Sequence, residues 1–128
     1  MTLVCGLPNA GKTTYCKKFE NVIHLDDYNE PRFNLRNKRC NEEAAKSETD
    51  VYIDGCYFTK ELRQELLEKF DGWKKACILI DTPFEVCIAR CEENGRHKET
   101  VMWVNDIYEK PTQDEGWDEF TVIEYDKV

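Results

Sequence analysis

Apolar and polar positions along the chain fall into two alternating periods. Short apolar runs over Thr2–Cys5, Val22–Leu25, Val51–Asp54 and Ala76–Ile80 predict strands. Ala76–Ile80 is continuously apolar, as expected of a strand covered on both faces. Helix-compatible stretches lie between the strands. One runs from Thr13 to about Glu20, with Tyr15, Cys16 and Phe19 available for an inner face. Another begins at an N-cap, Thr59, and carries the stripe Leu62, Leu66, Leu67 and Phe70 before Gly72 stops it. Pro83 opens a helix over Phe84–Glu93, which Gly95 breaks. A further helix covers about Thr100–Glu109, Pro111 ends it, and Phe120–Ile123 predicts a last strand. The polar stretch Asn29–Asn41, with Pro31 as a breaker, reads as irregular, followed by a short helix over Asn41–Lys46.

Strands alternating with helices imply an α/β fold, three layers with a mainly parallel sheet and helices on both faces. In such sheets ligands bind beyond the carboxyl ends of the strands. The segments at 6–13, Asp26-Asp27, Asp54 and the residues after Ile80 all follow strands, so all are expected at one edge.

The first of these segments carries the strongest chemistry. Gly6-Leu7-Pro8-Asn9-Ala10-Gly11-Lys12-Thr13 fits G-x-x-x-x-G-K-[ST], directly after a strand and before a helix. Backbone N–H groups of such a loop cradle the β and γ phosphates of a nucleotide. Gly6 and Gly11 allow the close approach, with Pro8, Asn9, Ala10 and Thr14 completing the wall. Lys12 supplies a cation to the phosphates, and the Thr13 hydroxyl suits Mg²⁺. The expected cofactors are ATP and Mg²⁺. Asp54, closing an apolar strand, is the second expected metal residue.

Transfer of a γ-phosphate to an alcohol needs a carboxylate within reach of that alcohol. Asp26 is assigned as this base, and Asp27 to local structure and the acceptor side. Arg90 and Arg96 flank a predicted helix end and suit a basic lid, at about 90–105, over the transferring phosphate. The basic stretch holding Arg32, Arg36 and Arg39 is a candidate acceptor wall.

The chain of 128 residues is expected to form a single domain. Its net charge of −8 argues against broad, non-specific nucleic-acid binding. Seven cysteines without C-x-x-C spacing point to a reducing, cytoplasmic compartment. No apolar stretch is long enough to span a bilayer and no leader is expected before the strand at Met1.

The chain resembles the 5′-polynucleotide kinases of phage and animal nucleic-acid repair, within the P-loop phosphotransferases. The phosphate loop carries part of the likeness. His24-Leu25-Asp26-Asp27-Tyr28 is similar to the family's Asp-Asp-Tyr element, whose first Asp is the general base. Ile53-Asp54 through Arg63 is similar to its Asp-Thr-Asn-x-x-x-x-x-x-Arg element, with Gly55-Cys56 replacing Thr-Asn. Pro83 to Arg90 corresponds to the helix leading into the lid, and Arg90 to a lid arginine. Tyr108-Glu109-Lys110-Pro111-Thr112 through Glu119 is close to a Phe-Glu-x-Pro-Thr-x-x-Glu-Gly-Phe-Asp-Glu element. The resemblance implies a P-loop NTPase fold with a helical lid and ATP-dependent phosphorylation of the 5′-hydroxyl of a DNA or RNA end. Asn29 stands where phage-type members carry a substrate-contacting arginine. The same machinery also fits a small-molecule or tRNA-linked hydroxyl, and a non-catalytic nucleotide-bound module is the third reading. The sequence leaves the oligomeric state open.

Overall fold

The computed structural model describes residues 1–125. Its centre is a five-stranded sheet: β1 (Thr2–Cys5), β2 (Val22–His24), β3 (Tyr52–Asp54), β4 (Ala76–Asp81) and β5 (Glu119–Glu124). The strand order is β2-β3-β1-β4-β5, and every neighbouring pair is parallel. Successive side chains of a strand point to opposite faces. Leu3, Val4 and Cys5 are consecutive and each is fully buried, so both faces of central β1 are covered. The result is the three-layer α/β/α arrangement expected from the alternating pattern. The helices are α1 (Lys12–Cys16), α2 (Phe33–Ala45), α3 (Lys60–Lys69), α4 (Phe84–Asn94) and α5 (Lys98–Ile107).

The register fixes where the chemistry sits. Val4 lies opposite Asp54 on one side and Ile78 on the other, and His24 lies opposite Asp54. The loops after β1, β2, β3 and β4 therefore leave the sheet at one edge. Two local features depart from the sequence reading. Helix α1 ends at Cys16 instead of Glu20, because the chain must turn at Asn21 to start β2. Asn21 does so with φ 52, a left-handed conformation that asparagine tolerates. Phe19 then stacks on Tyr52 at 4.1 Å, closing the turn against β3.

The second departure is α2. The stretch read as irregular is helical from Phe33, and its inward positions are Asn37, Cys40, Asn41 and Ala44. Asn41 is satisfied there by the Tyr57 hydroxyl, which donates to Oδ1 at 2.5 Å. Burial raises the thiol pKa of Cys5 and Cys16 to about 12 and of Cys40 and Cys87 to about 11. These cysteines therefore act as small apolar fillers.

The residues 108–119 are tied down by one buried ion pair. Arg63, on α3, donates from Nε and Nη2 to the two carboxylate oxygens of Glu115 at 2.9 and 2.8 Å. Its Nη1 donates to the Tyr57 carbonyl at 2.8 Å. Trp117 Nε1 donates to the same carboxylate at 3.2 Å, and Gln64 Nε2 to the Glu115 carbonyl at 2.9 Å. Both charged side chains are essentially removed from solvent. Burial alone would raise the Glu115 pKa, but the Arg63 guanidinium and the Trp117 N–H outweigh it and hold the carboxyl below its usual value. Arg63→Ala leaves this carboxylate buried and unpaired, so unfolding by urea is expected to show a loss of about 3–5 kcal/mol. A lowered carboxyl pKa means the pair's contribution is complete above the unfolded pKa and disappears as pH falls through the folded one. Wild-type stability should fall on acidification more steeply than that of the variant.

Candidate active site

The phosphate loop connects β1 to α1 and is shaped by close packing. A Cβ on Gly6 would lie 2.7 Å from the Ile80 carbonyl oxygen, so no larger residue fits between loop and β4. Gly11 has φ 106, where L side chains are strained, and caps the start of α1. The first-turn N–H groups of α1 have no intrahelical acceptor. Thr82, just past β4, donates its hydroxyl to the Ala10 carbonyl at 2.7 Å and pins the loop from beneath.

Lys12 is buried and folds back on the loop, donating to the Gly6 and Leu7 carbonyls at 3.2 and 2.7 Å. Burial works against its charge, but the adjacent Cys56 sulfur and the Asp54 carboxylate more than compensate, so its pKa lies above the ordinary lysine value. The side chain is an ammonium held against the Gly6 and Leu7 carbonyls of the loop.

Thr13 and Asp54 meet directly. The Thr13 hydroxyl donates to Asp54 Oδ2 at 2.7 Å, and His24 Nδ1 lies 2.7 Å from the same oxygen. Asp54 is buried, while His24 is about one-third exposed. A hydroxyl and a carboxylate converging on one point are hard oxygen donors of the kind that suits Mg²⁺. No group of three or more His, Cys, Asp or Glu side chains forms a metal cage among the described residues.

Around this floor opens a cleft of about 960 Å³. Pro8, Asn9, Gly11, Lys12, Thr13 and Thr14 line its nucleotide half, and Asp54 and Cys56 its base. Gly6 and Ala10 lie behind this wall and are buried. Asp26 opens into the same cleft. The strand read as Val22–Leu25 ends at His24, and Leu25–Asp27 form one 3₁₀ turn. Leu25 anchors that turn in the core, Asp26 is exposed on the cleft, and Asp27 is exposed outside its lining.

Arg90 and Arg96 both line the cleft, and both are held by Asn9. Arg90 Nη1 donates to the Asn9 carbonyl at 2.9 Å, and Arg96 Nη1 to Asn9 Oδ1 at 2.7 Å. Asn9 Nδ2 also contacts the Cys91 sulfur. Asn9 adopts φ 64, so glycine can replace it without backbone strain. Asn9→Gly removes the Arg96 and Cys91 contacts but keeps the carbonyl for Arg90. Steady-state kinetics are expected to show a KM for ATP several-fold higher, with thermal stability little changed.

The basic stretch divides. Arg36 lines the cleft, and its Nε is shielded from solvent without a hydrogen-bond partner among the described residues. Arg32 and Arg39 do not line the cleft. Arg32 Nε lies 2.9 Å and Arg39 Nη2 3.7 Å from the buried carboxylate of Glu30. Of the three arginines Arg36 alone lines the cleft, and Asp27 also lies outside its lining. Phe33, Phe58 and Trp103 also line the cleft.

No family model and no curated protein matches the chain. Solved structures do. A gluconokinase from Sinorhizobium meliloti 1021 superposes with a TM-score of 0.76 at 15% identity, over 99% of this chain and 83% of its own. A sugar kinase from Janibacter sp. HTCC2649 gives 0.74 at 14% identity, over 99% and 86%. Together with the loop and its Thr13–Asp54 partner, these likenesses define the fold as that of the P-loop kinases. No helix among the described residues is long and apolar enough to cross a membrane.

Proposed function

We propose that this protein is an ATP- and Mg²⁺-dependent kinase that phosphorylates the hydroxyl of a small molecule. The carrying observation is that Asp26 and the phosphate loop line one cleft, over the Thr13–Asp54 pair. ATP would lie on residues 6–13, with Mg²⁺ on Thr13 and through Asp54; the ion would neutralise charge on the β and γ phosphates. Asp26 accepts the proton of the acceptor hydroxyl as its oxygen bonds to the γ-phosphorus and the bond from that phosphorus to the β-phosphate oxygen breaks, releasing ADP. Lys12 and Arg90, with Arg96, stabilise the charge on the phosphoryl oxygens. Helices α4 and α5 act as the lid of this one domain, and Asn9 holds the lid arginines near the loop before ATP arrives. The free thiols support a reducing, cytoplasmic setting.

A small acceptor is favoured over a nucleic-acid chain on two grounds. The neighbours are named for a gluconokinase and a sugar kinase. A polyanion also needs a basic track, yet Arg32 and Arg39 are engaged by Glu30 outside the cleft of a chain with net charge −8. The second reading, transfer to the 5′-hydroxyl of a DNA or RNA end, is favoured by the Asp26-Asp27-Tyr28 and 108–119 resemblances and by Arg36 in the cleft. Incubation with γ-labelled ATP and a panel of sugars, sugar acids, nucleosides and 5′-hydroxyl oligonucleotides separates them. Labelling of small alcohols is expected. Labelling confined to oligonucleotides establishes the second reading, and ATP binding without transfer to any alcohol removes both.

A further inference from the structure

We infer that His24 is a positioning residue of the metal site: its ring fixes the orientation in which the Asp54 carboxylate meets Mg²⁺ on the nucleotide. This rests on the kinase reading and adds a residue to its metal site. Three elements meet at one oxygen. Asp54 ends β3, Thr13 lies in the first turn of α1, and His24 ends β2 directly opposite Asp54 in the parallel register. The Thr13 hydroxyl donates to Asp54 Oδ2 at 2.7 Å, and His24 Nδ1 stands 2.7 Å from that same oxygen. An ionised carboxylate only accepts, so Nδ1 is the ring nitrogen that carries the proton in this contact.

Strand packing alone does not call for this contact. β2 is an edge strand and the His24 side chain is about one-third exposed, so water could serve its ring at little cost. Asp54 is the buried partner, and what the two donors settle is its geometry. The terminal torsion of a carboxylate is broad, and a single hydrogen bond leaves it free to swing. Two donors, one from α1 and one from β2, hold Oδ2 in place and so set the direction of Oδ1. Among the described residues Oδ1 has no hydrogen-bond partner, yet it keeps contact with solvent where Asp54 lines the cleft. It is a hard oxygen donor suited to Mg²⁺ or to a water in the ion's shell. The Thr13 oxygen can give a lone pair to the same cation while its proton stays on Oδ2. Removing the His24 N–H leaves the carboxylate on one bond, with the phosphate loop and Lys12 untouched. Partners that orient a metal's ligands typically carry about 10–100-fold in metal affinity.

Calorimetry on the full chain tests this without requiring turnover. A non-hydrolysable ATP analogue is titrated once in excess Mg²⁺ and once with the metal removed by EDTA, and the ratio of the two affinities is the metal's contribution. Binding by the wild-type chain without metal tests the nucleotide site separately. His24→Ala is expected to reduce the ratio about tenfold, with the metal-free affinity unchanged. His24→Asn, whose amide N–H lies close to the place of Nδ1, should restore most of the loss. His24→Gln, whose amide falls nearer the place of Nε2, should not, and it carries the test if the alanine variant does not fold. No effect of Mg²⁺ on the wild-type affinity, a ratio unchanged in His24→Ala or His24→Gln, an equal loss with and without metal, or no rescue by His24→Asn would overturn the inference and leave the nucleotide site standing. Absence of analogue binding by the wild-type chain would remove the kinase reading together with it.

Discussion

Asp26→Asn is expected to lower phosphoryl transfer about 100-fold or more while ATP binding stays at the wild-type level. The magnitude is that of a positioned general base. The asparagine is nearly isosteric, and Asp26 is exposed on a 3₁₀ turn whose anchor is Leu25, so the fold has no reason to change. The distinguishing measurement pairs the two quantities. Calorimetric titration with ATP and Mg²⁺ should give one dissociation constant for both proteins, and quenched-flow assays should give very different transfer rates. Asp27→Asn, one residue away but outside the cleft, is the control and should transfer at close to the wild-type rate.

Lys12→Ala is expected to lower transfer by about 10³-fold, the scale of a cation placed on the transferring phosphoryl group. Unlike Asp26→Asn, it should also weaken ATP binding, because the ammonium meets the same phosphates in the ground state. Its contacts in the ligand-free chain are with the Gly6 and Leu7 carbonyls, which remain able to bond water when the side chain is removed. Circular dichroism should therefore show a retained fold. Wild-type transfer by this variant would mean that the nucleotide is held elsewhere.

The parts of the site legible in the sequence were those fixed by backbone geometry. The phosphate loop is contiguous, its glycines answer to the Ile80 carbonyl and to a left-handed φ, and Asp54 ends a strand whose neighbours set its direction. Such features need no knowledge of distant residues. Helix α2 was hidden because asparagines fill two of its inward positions, so the chain shows no apolar stripe there. Once that helix is missed, Arg32, Arg36 and Arg39 are indistinguishable. What separates them is Glu30, a buried carboxylate that engages two of the three, and nothing in its sequence surroundings announces its burial. The Asn9 clamp on Arg90 and Arg96 and the ring cluster of Phe33, Phe58 and Trp103 join residues far apart in the chain. A weak sequence signal existed for Thr82, a hydroxyl residue directly after a strand at the ligand edge.

The most direct test is a crystal structure of the chain with a non-hydrolysable ATP analogue and Mg²⁺. The account predicts the triphosphate on residues 6–13, the metal at Thr13 on the Asp54 side, and the Asp26 carboxylate facing the γ-phosphate across a gap wide enough for one hydroxyl group. A nucleotide bound away from Lys12, or an Asp26 side chain turned from the terminal phosphate, would contradict it.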